Sequence, residues 1–352
     1  MSEEDSYSKG LHFLAEEEYE KALPYFEEAA KENTNSAEAF YQIGYCNSFL
    51  KRYNEAIAAY KEAIRIKPDY AMAYSSLGST YDSLGRHSEA VEIFFQAIRV
   101  KPDFAIAHYN LGVAYGNLGR YNDAIAAYEQ AIRINPDYAE ALCNIGGIYI
   151  DMGQYNEAFA ALQRSISIAP NDSIAHFNMG RVFDNLGSYD KAIVAYKNAI
   201  KIAPDFAGAY INIGAVYNDL ERFHESVDAY KQAIHIDPNC ADAYCGLGSA
   251  YDNLGRYDEA MEAFMQAIRI NSELSMAHFN LGVVYGQLKR HREEIQAYKE
   301  AIRIEPDHKE AHFNLGVTYL LFGQKDLALE EYKILKNQDI EMANRLFSLI
   351  YK

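Results

Sequence analysis

The sequence predicts an all-α fold: a solenoid of ten helix-turn-helix repeats with a C-terminal capping helix. Three observations predict it. Proline recurs at 68, 102, 136, 170, 204, 238 and 306, with Ser272 at the one vacancy, which sets a 34-residue period. Periods of about 20–50 residues mark stacked arrays rather than globules. Glycine fills the eighth position of every period: Gly10, Gly44, Gly78, Gly112, Gly146, Gly180, Gly214, Gly248, Gly282 and Gly316. Between these marks apolar residues recur at three- and four-residue steps, the spacing of amphipathic helices.

The repeats begin at Glu3, Ala37, Ala71, Ala105, Ala139, Ser173, Ala207, Ala241, Ser275 and Lys309 and fill residues 3–342 without insertion. In the fourth repeat the first helix carries Ala107, Leu111, Ala114, Tyr115 and Leu118. The pattern breaks at Gly119, and Asn122 is the expected N-cap of the second helix, since its side-chain oxygen can accept an orphan backbone N–H. That helix carries Ala124, Ile125, Tyr128, Ala131 and Ile132 until Pro136 forbids its continuation. Glycine at the eighth position and alanine at the twentieth fit helices that approach closely. Ser226 and Glu294 are the exceptions at the twentieth, and Glu294 predicts looser packing in the ninth repeat. Leu335, where other repeats have a small residue, suits an end repeat. Residues 343–352 are expected to extend a capping helix, with Leu346, Leu349 and Ile350 covering the apolar end and Asn344, Arg345 and Ser348 in water. Such arrays require that cap. No linker interrupts the period, so one quasi-one-dimensional array is expected.

The segment AHYNLGVAYGNLGRYNDAIAAYEQAIRINPDY, Ala107 to Tyr138, resembles the tetratricopeptide-repeat pattern nearly throughout, and ten repeats in register extend the resemblance over residues 3–342. Two departures stand out. The bulky fourth position is histidine at His108, His176, His278 and His312, and tryptophan is absent. The resemblance implies a right-handed superhelix whose first helices line a concave groove.

Composition narrows the function. A net charge of −17 argues against nucleic acid, because binding a phosphate backbone needs clustered Lys and Arg. Arg86, Arg99, Arg120 and Arg133 are expected on a solvated convex face. No stretch approaches the ~20 apolar residues of a membrane span. Four cysteines without metal-ligand spacing and a start without a secretory signal suggest a reducing, cytoplasmic setting. No metal or cofactor is expected. The four fourth-position histidines lie on successive steps of the stack, roughly 10 Å apart, too far for one metal at ~2.1 Å. They are expected to pack. No phosphate loop, nucleophile elbow or metalloprotease helix is present, so the chain is not expected to be an enzyme.

The resemblance makes the second, fifth, sixth, ninth, twelfth and thirteenth positions face the groove, and helical period places all six on one stripe. The sixth is asparagine at Asn110, Asn144, Asn178, Asn212, Asn280 and Asn314. A carboxamide both donates and accepts, so a ladder of them could hold the backbone of an extended peptide. The stripe also holds ten carboxylates (Glu4, Glu38, Asp82, Glu140, Asp151, Asp184, Asp219, Asp242, Asp252 and Glu310) against a single base, Arg181. Such asymmetry would steer a basic partner. The fifth position is large and apolar at Tyr41, Tyr109, Phe177, Ile211, Phe279 and Phe313. These are either pockets for peptide side chains or rings half-buried between neighbouring first helices. No base occupies the second, fifth or sixth position, which argues against the carboxylate clamp of chaperone cofactors that the chain resembles in fold. The expectation is a non-catalytic scaffold that binds a basic or neutral extended segment. The alternatives are a self-assembling scaffold, forming a weak homo-oligomer, and a detached recognition module for a partner enzyme.

Overall fold

A computed structural model describes residues 5–351, so Glu4 of the acidic stripe lies outside the described residues. The chain forms two compact halves, Met1–Asn171 and Asp172–Lys352. The N-terminal half holds α1 (Ser6–Ala15), α2 (Tyr19–Glu32), α3 (Ala37–Phe49), α4 (Tyr53–Ile66), α5 (Ala71–Ser83), α6 (His87–Val100), α7 (Ala105–Asn117), α8 (Tyr121–Ile134), α9 (Ala139–Asp151) and α10 (Tyr155–Ile168). The C-terminal half holds α11 (Ser173–Asn185), α12 (Tyr189–Ile202), α13 (Ala207–Asp219), α14 (Phe223–Ile236), α15 (Ala241–Asn253), α16 (Tyr257–Ile270), α17 (Ser275–Gln287), α18 (His291–Ile304), α19 (Lys309–Leu321), α20 (Lys325–Gln338) and α21 (Ile340–Ile350). No strand occurs among the described residues. Each repeat is thus a helical hairpin, with odd-numbered first helices and even-numbered second helices through α20.

The eighth-position glycines explain how each hairpin closes. A Cβ added at Gly112 would stand 2.6 Å from Tyr128 Cε1, and one at Gly180 would stand 2.5 Å from Tyr196 Cδ1. The bulky twenty-fourth residue of the second helix therefore lies flat on the bare backbone of the first. In the last repeat the neighbour is Leu346 of α21, at 2.7 Å from the Cβ that Gly316 lacks. This contact docks the terminal helix.

The turn inside the hairpin differs from the expectation at Asn122. Gly119 takes a left-handed φ of +69°, its N–H bonds the Gly116 carbonyl at 2.9 Å, and the Arg120 N–H bonds that of Tyr115 at 2.9 Å. The chain re-enters a helix at Tyr121, so Asn122 already lies inside it, and Arg120 flanks the start without a side-chain cap. The same turn position holds Lys51, Glu221 and Lys289 with φ of +58°, where a Cβ is unfavourable.

Arginine at this turn does more than solvate a surface. Arg86, Arg120, Arg222, Arg256 and Arg290 lie over the rings of Tyr81, Tyr115, Tyr217, Tyr251 and Tyr285 at 4.3–4.7 Å. Each also bonds a carboxylate three residues on: Glu89, Asp123, Glu225, Glu259 and Glu293. Stacking and pairing together tie the end of the first helix to the start of the second.

Glu294 does not loosen the ninth repeat, because α17 and α18 pack as closely as other pairs. The residue is 7 % exposed, and its carboxylate accepts a bond from Thr318 Oγ1 at 2.7 Å and pairs with His291 Nδ1 at 2.7 Å. Gly286 leaves it room, with Oε1 only 3.1 Å from the Cβ that this glycine lacks. Ser226, the other exception, donates to the Gly214 carbonyl at 2.8 Å.

The terminal helix α21 starts at Ile340, three residues before the expected 343, because Asp339 caps it by accepting from the Glu341 and Met342 amides. Ala343, Leu346 and Ile350 are buried against α19 and α20, and Leu335 is fully buried among them. Leu349 is 41 % exposed and does not cover the end. On α21 the buried residues recur at steps of three and four, and Leu349 falls at the edge of that stripe, about a quarter-turn from its centre.

Candidate functional site

Within each half, successive first helices approach one another directly: α3, α5 and α7 in one, α11, α13, α15 and α17 in the other. They therefore form the inner wall of the local stack, and the six-position stripe lies on it.

The sixth-position asparagines sit half-buried in this wall, with Asn178 only 8 % exposed. The carboxamides of five of the six are already engaged. Asn144 Nδ2 donates to Tyr128 OH and to Tyr109 OH, both at 3.3 Å. Asn212 and Asn314 donate likewise to Tyr196 OH and Tyr298 OH at 3.4 and 3.5 Å. The rule is a tyrosine sixteen residues earlier, at the twenty-fourth position of the preceding repeat. Before Asn110 and Asn280 that position holds Phe94 and Phe264, which offer no hydroxyl. Asn110 turns instead to Ser75 and Ser79, at 3.3 and 3.2 Å. At Asn178 the Oδ1 accepts from Arg181 Nη1 at 3.4 Å. Two hydroxyls thus take both amide hydrogens of Asn144, while one anchors each of Asn212 and Asn314. The oxygen of Asn144, and the second hydrogen and the oxygen of Asn212 and Asn314, can meet a backbone laid across the wall.

The fifth-position rings are packed, not splayed. Tyr41 is buried, while Tyr109, Phe177, Phe279 and Phe313 are half-buried. In four repeats the ring faces one at the thirty-fourth position: Tyr41 and Tyr70 at 5.3 Å, Tyr109 and Tyr138 at 4.9 Å, Phe177 and Phe206 at 4.8 Å, Phe279 and His308 at 4.7 Å. Phe313 lies under the Arg345 guanidinium at 5.1 Å.

Asp82 is held by His87 Nδ1 at 2.6 Å and by Asn117 Nδ2 at 3.1 Å, and Glu38 pairs with Lys67 at 3.2 Å. His87 and Lys67 lie off the stripe by helical period, so the sequence reading missed that they engage part of it. In the C-terminal half, burial together with the neighbouring Asp219 carboxylate raises Asp184 above the ordinary carboxylate range. Asp252 is raised by burial alone. Asp219 and Asp242 are exposed, and Glu310 lies 3.3 Å from His308 Nδ1.

Three fourth-position histidines act as staples. The Nε2 hydrogens of His108, His278 and His312 meet the carbonyls of Pro102, Ser272 and Pro306, all at 3.0 Å, which fastens each first helix to the preceding turn. No group of three or more potential metal ligands is assembled among the described residues. No disulfide joins the four cysteines, and no described helix is long and apolar enough to cross a membrane.

Tetratricopeptide-repeat models match residues 105–138, 139–172, 241–274, 277–308 and 297–330, and a TPR-repeat model matches 50–85, 80–119, 181–220 and 214–255. The chain belongs to the tetratricopeptide-repeat family. Members of this family are typically non-catalytic scaffolds that bind protein or peptide partners. No curated protein matches the chain. Among solved structures it is similar to MamA, at 28 % identity over 46 % of this chain and 95 % of that one, with a TM-score of 0.43. It is also similar to YrrB, described as a TPR protein with an unusual peptide-binding site, at 24 % identity over 53 % and 97 % with a TM-score of 0.44. Yeast Tom70 aligns over 98 % of this chain and 94 % of its own, at 13 % identity and a TM-score of 0.49.

Proposed function

We propose that this tetratricopeptide-repeat chain is a non-catalytic scaffold that holds an extended, basic or neutral polypeptide segment along its first helices. The observation that carries the reading is the set of anchored asparagines. Asn212 and Asn314 are each pinned by one amide hydrogen to a tyrosine hydroxyl, and Asn144 by both of its own to two. A carboxamide fixed in this way meets a peptide group with little further loss of side-chain freedom. Asp184, Asp219, Asp242 and Asp252 supply the sign. Because Asp184 and Asp252 are raised, their attraction for a basic segment sets in at higher pH than that of an ordinary carboxylate.

Fluorescence anisotropy with labelled dodecapeptides of alternating Gly and Lys, or Gly and Glu, tests this. The lysine peptide should bind, weaken as salt is raised, and lose roughly tenfold or more when Asn212 and Asn314, which share one half, are both changed to alanine. Changing Asp184, Asp219 and Asp252 to asparagine should remove most of the salt dependence. Equal binding of the glutamate peptide, or indifference to both sets of changes, would sink the proposal. One observation favours a second reading, self-association: Ile340, Leu349 and Tyr351 leave apolar surface exposed on and beside α21. Sedimentation at tens of micromolar decides it, since a monomer there removes that reading.

A further inference from the structure

The third repeat breaks the ring pairing that four other repeats share. Its thirty-fourth position keeps an aromatic, Phe104, but its fifth position is Ser75. The sixth and ninth positions shrink as well, to Ser76 and Ser79. The missing bulk leaves a cavity of about 380 Å³ on the inner wall of the N-terminal half, within the roughly 300–1,000 Å³ of ligand pockets. Its floor is made of hydroxyls that satisfy one another. Ser48 Oγ lies 3.3 Å from both Tyr60 OH and Thr80 Oγ1, Ser76 Oγ donates to Tyr41 OH at 3.5 Å, and Asn110 holds Ser75 and Ser79. Its rim is apolar and exposed, formed by Phe49, Met72 and Ile106. None of the lining residues is charged, so the cavity suits a neutral occupant.

We propose that this cavity receives one aromatic side chain of the bound segment, a tyrosine or phenylalanine whose ring replaces the one absent at Ser75 and packs against Phe104. The ring removes the apolar rim from water, and rings at such separations prefer tilted or offset contact. A tyrosine hydroxyl would in addition meet the serine floor. The asparagine wall grips any sequence through its backbone, whereas this cavity selects one side chain and so sets the register of the segment. The inference rests on the first-helix wall being the peptide-binding face.

The test uses the full chain and two probes. The first is p-cresol, the tyrosine side chain alone, titrated by ligand-observed NMR. The wild type should bind it saturably. Ser75→Phe, which fills the cavity, should weaken binding at least tenfold with helicity unchanged, and Met72→Glu at the exposed rim should weaken it several-fold whether or not the first variant folds. Absent or non-saturable binding to the wild type, or binding that survives both changes, overturns the proposal. The second probe is the Gly-Lys dodecapeptide with one central Tyr or one central Ala. The tyrosine peptide should bind about tenfold tighter to the wild type and lose that margin in Ser75→Phe; equal affinities for the wild type would overturn the selection. If neither peptide binds while p-cresol saturates a site that Ser75→Phe removes, the peptide-groove reading falls and the aromatic cavity stands.

Discussion

Two glycines in one helix should respond to the same substitution with opposite signs. Gly112 and Gly116 both lie inside α7 (Ala105–Asn117), where alanine is favoured over glycine by about 1 kcal/mol. At Gly116 an added Cβ meets nothing within 4 Å, so Gly116→Ala should stabilise by about 0.5–1 kcal/mol. At Gly112 the same Cβ would stand 2.6 Å from Tyr128 Cε1 and 2.7 Å from Cδ1. That ring cannot retreat freely. It is 3 % exposed, packs beside Tyr109 at 5.6 Å and holds Asn144 through its hydroxyl. Shifting it costs roughly 1–3 kcal/mol, which offsets or exceeds the helix gain. Gly112→Ala should therefore be destabilising by up to about 2 kcal/mol, and the gap between the two variants measures the packing term alone. Urea unfolding followed by circular dichroism gives the global effect. Because arrays of repeats open in segments, amide exchange in α7 and α8 gives the local one. Equal stabilisation by both variants would refute the claim that the eighth-position glycines exist to seat the twenty-fourth residue.

Three further outcomes are expected. Burial works against a charge on His312, but Glu331 at 2.5 Å and the Pro306 carbonyl at 3.0 Å outweigh it and raise the histidine above its usual range. A group raised on folding contributes fully below its unfolded pKa of about 6.5 and loses that contribution as pH climbs through the folded value. Stability measured by urea midpoint should accordingly fall above about pH 6.5, and His312→Gln should flatten that decline. Thr318→Val leaves the buried Glu294 carboxylate short of a donor and should cost roughly 1.5–3 kcal/mol, most of it recovered when Glu294→Ala is added; a double-mutant cycle without coupling would contradict the buried bond. Glu221→Gly relieves a left-handed residue at φ +58° and should raise the thermal midpoint, equivalent to about 0.5–1 kcal/mol.

How far the sequence reaches can be judged residue by residue. Period alone located Gly112 where two helices meet, placed Asn144 and Asp184 on one stripe, and put the histidines on separate steps, because helical phase decides which face a residue occupies. Phase says nothing about what waits opposite. That Asn144 is anchored by Tyr128, sixteen residues back, became visible only when the repeats were stacked. The spacing could have been noticed, since Asn212 with Tyr196 and Asn314 with Tyr298 repeat it. His87 reaching Asp82 and Glu294 finding Thr318 join residues from different helices, and Arg120 reaches from the turn back onto Tyr115. Long side chains cross boundaries that a one-helix projection treats as walls.

The sequence by itself determined a tetratricopeptide array: its period, its hairpins and the bare glycines that let them close. These follow from local rules, since helix spacing, breakers and small residues act within a few turns of one chain. Only the tertiary structure decided which wall residues are pinned, which carboxylates are paired and where the wall opens. Each of those depends on distances between side chains of successive repeats, where one missing ring, at Ser75, turns a repeated contact into a cavity.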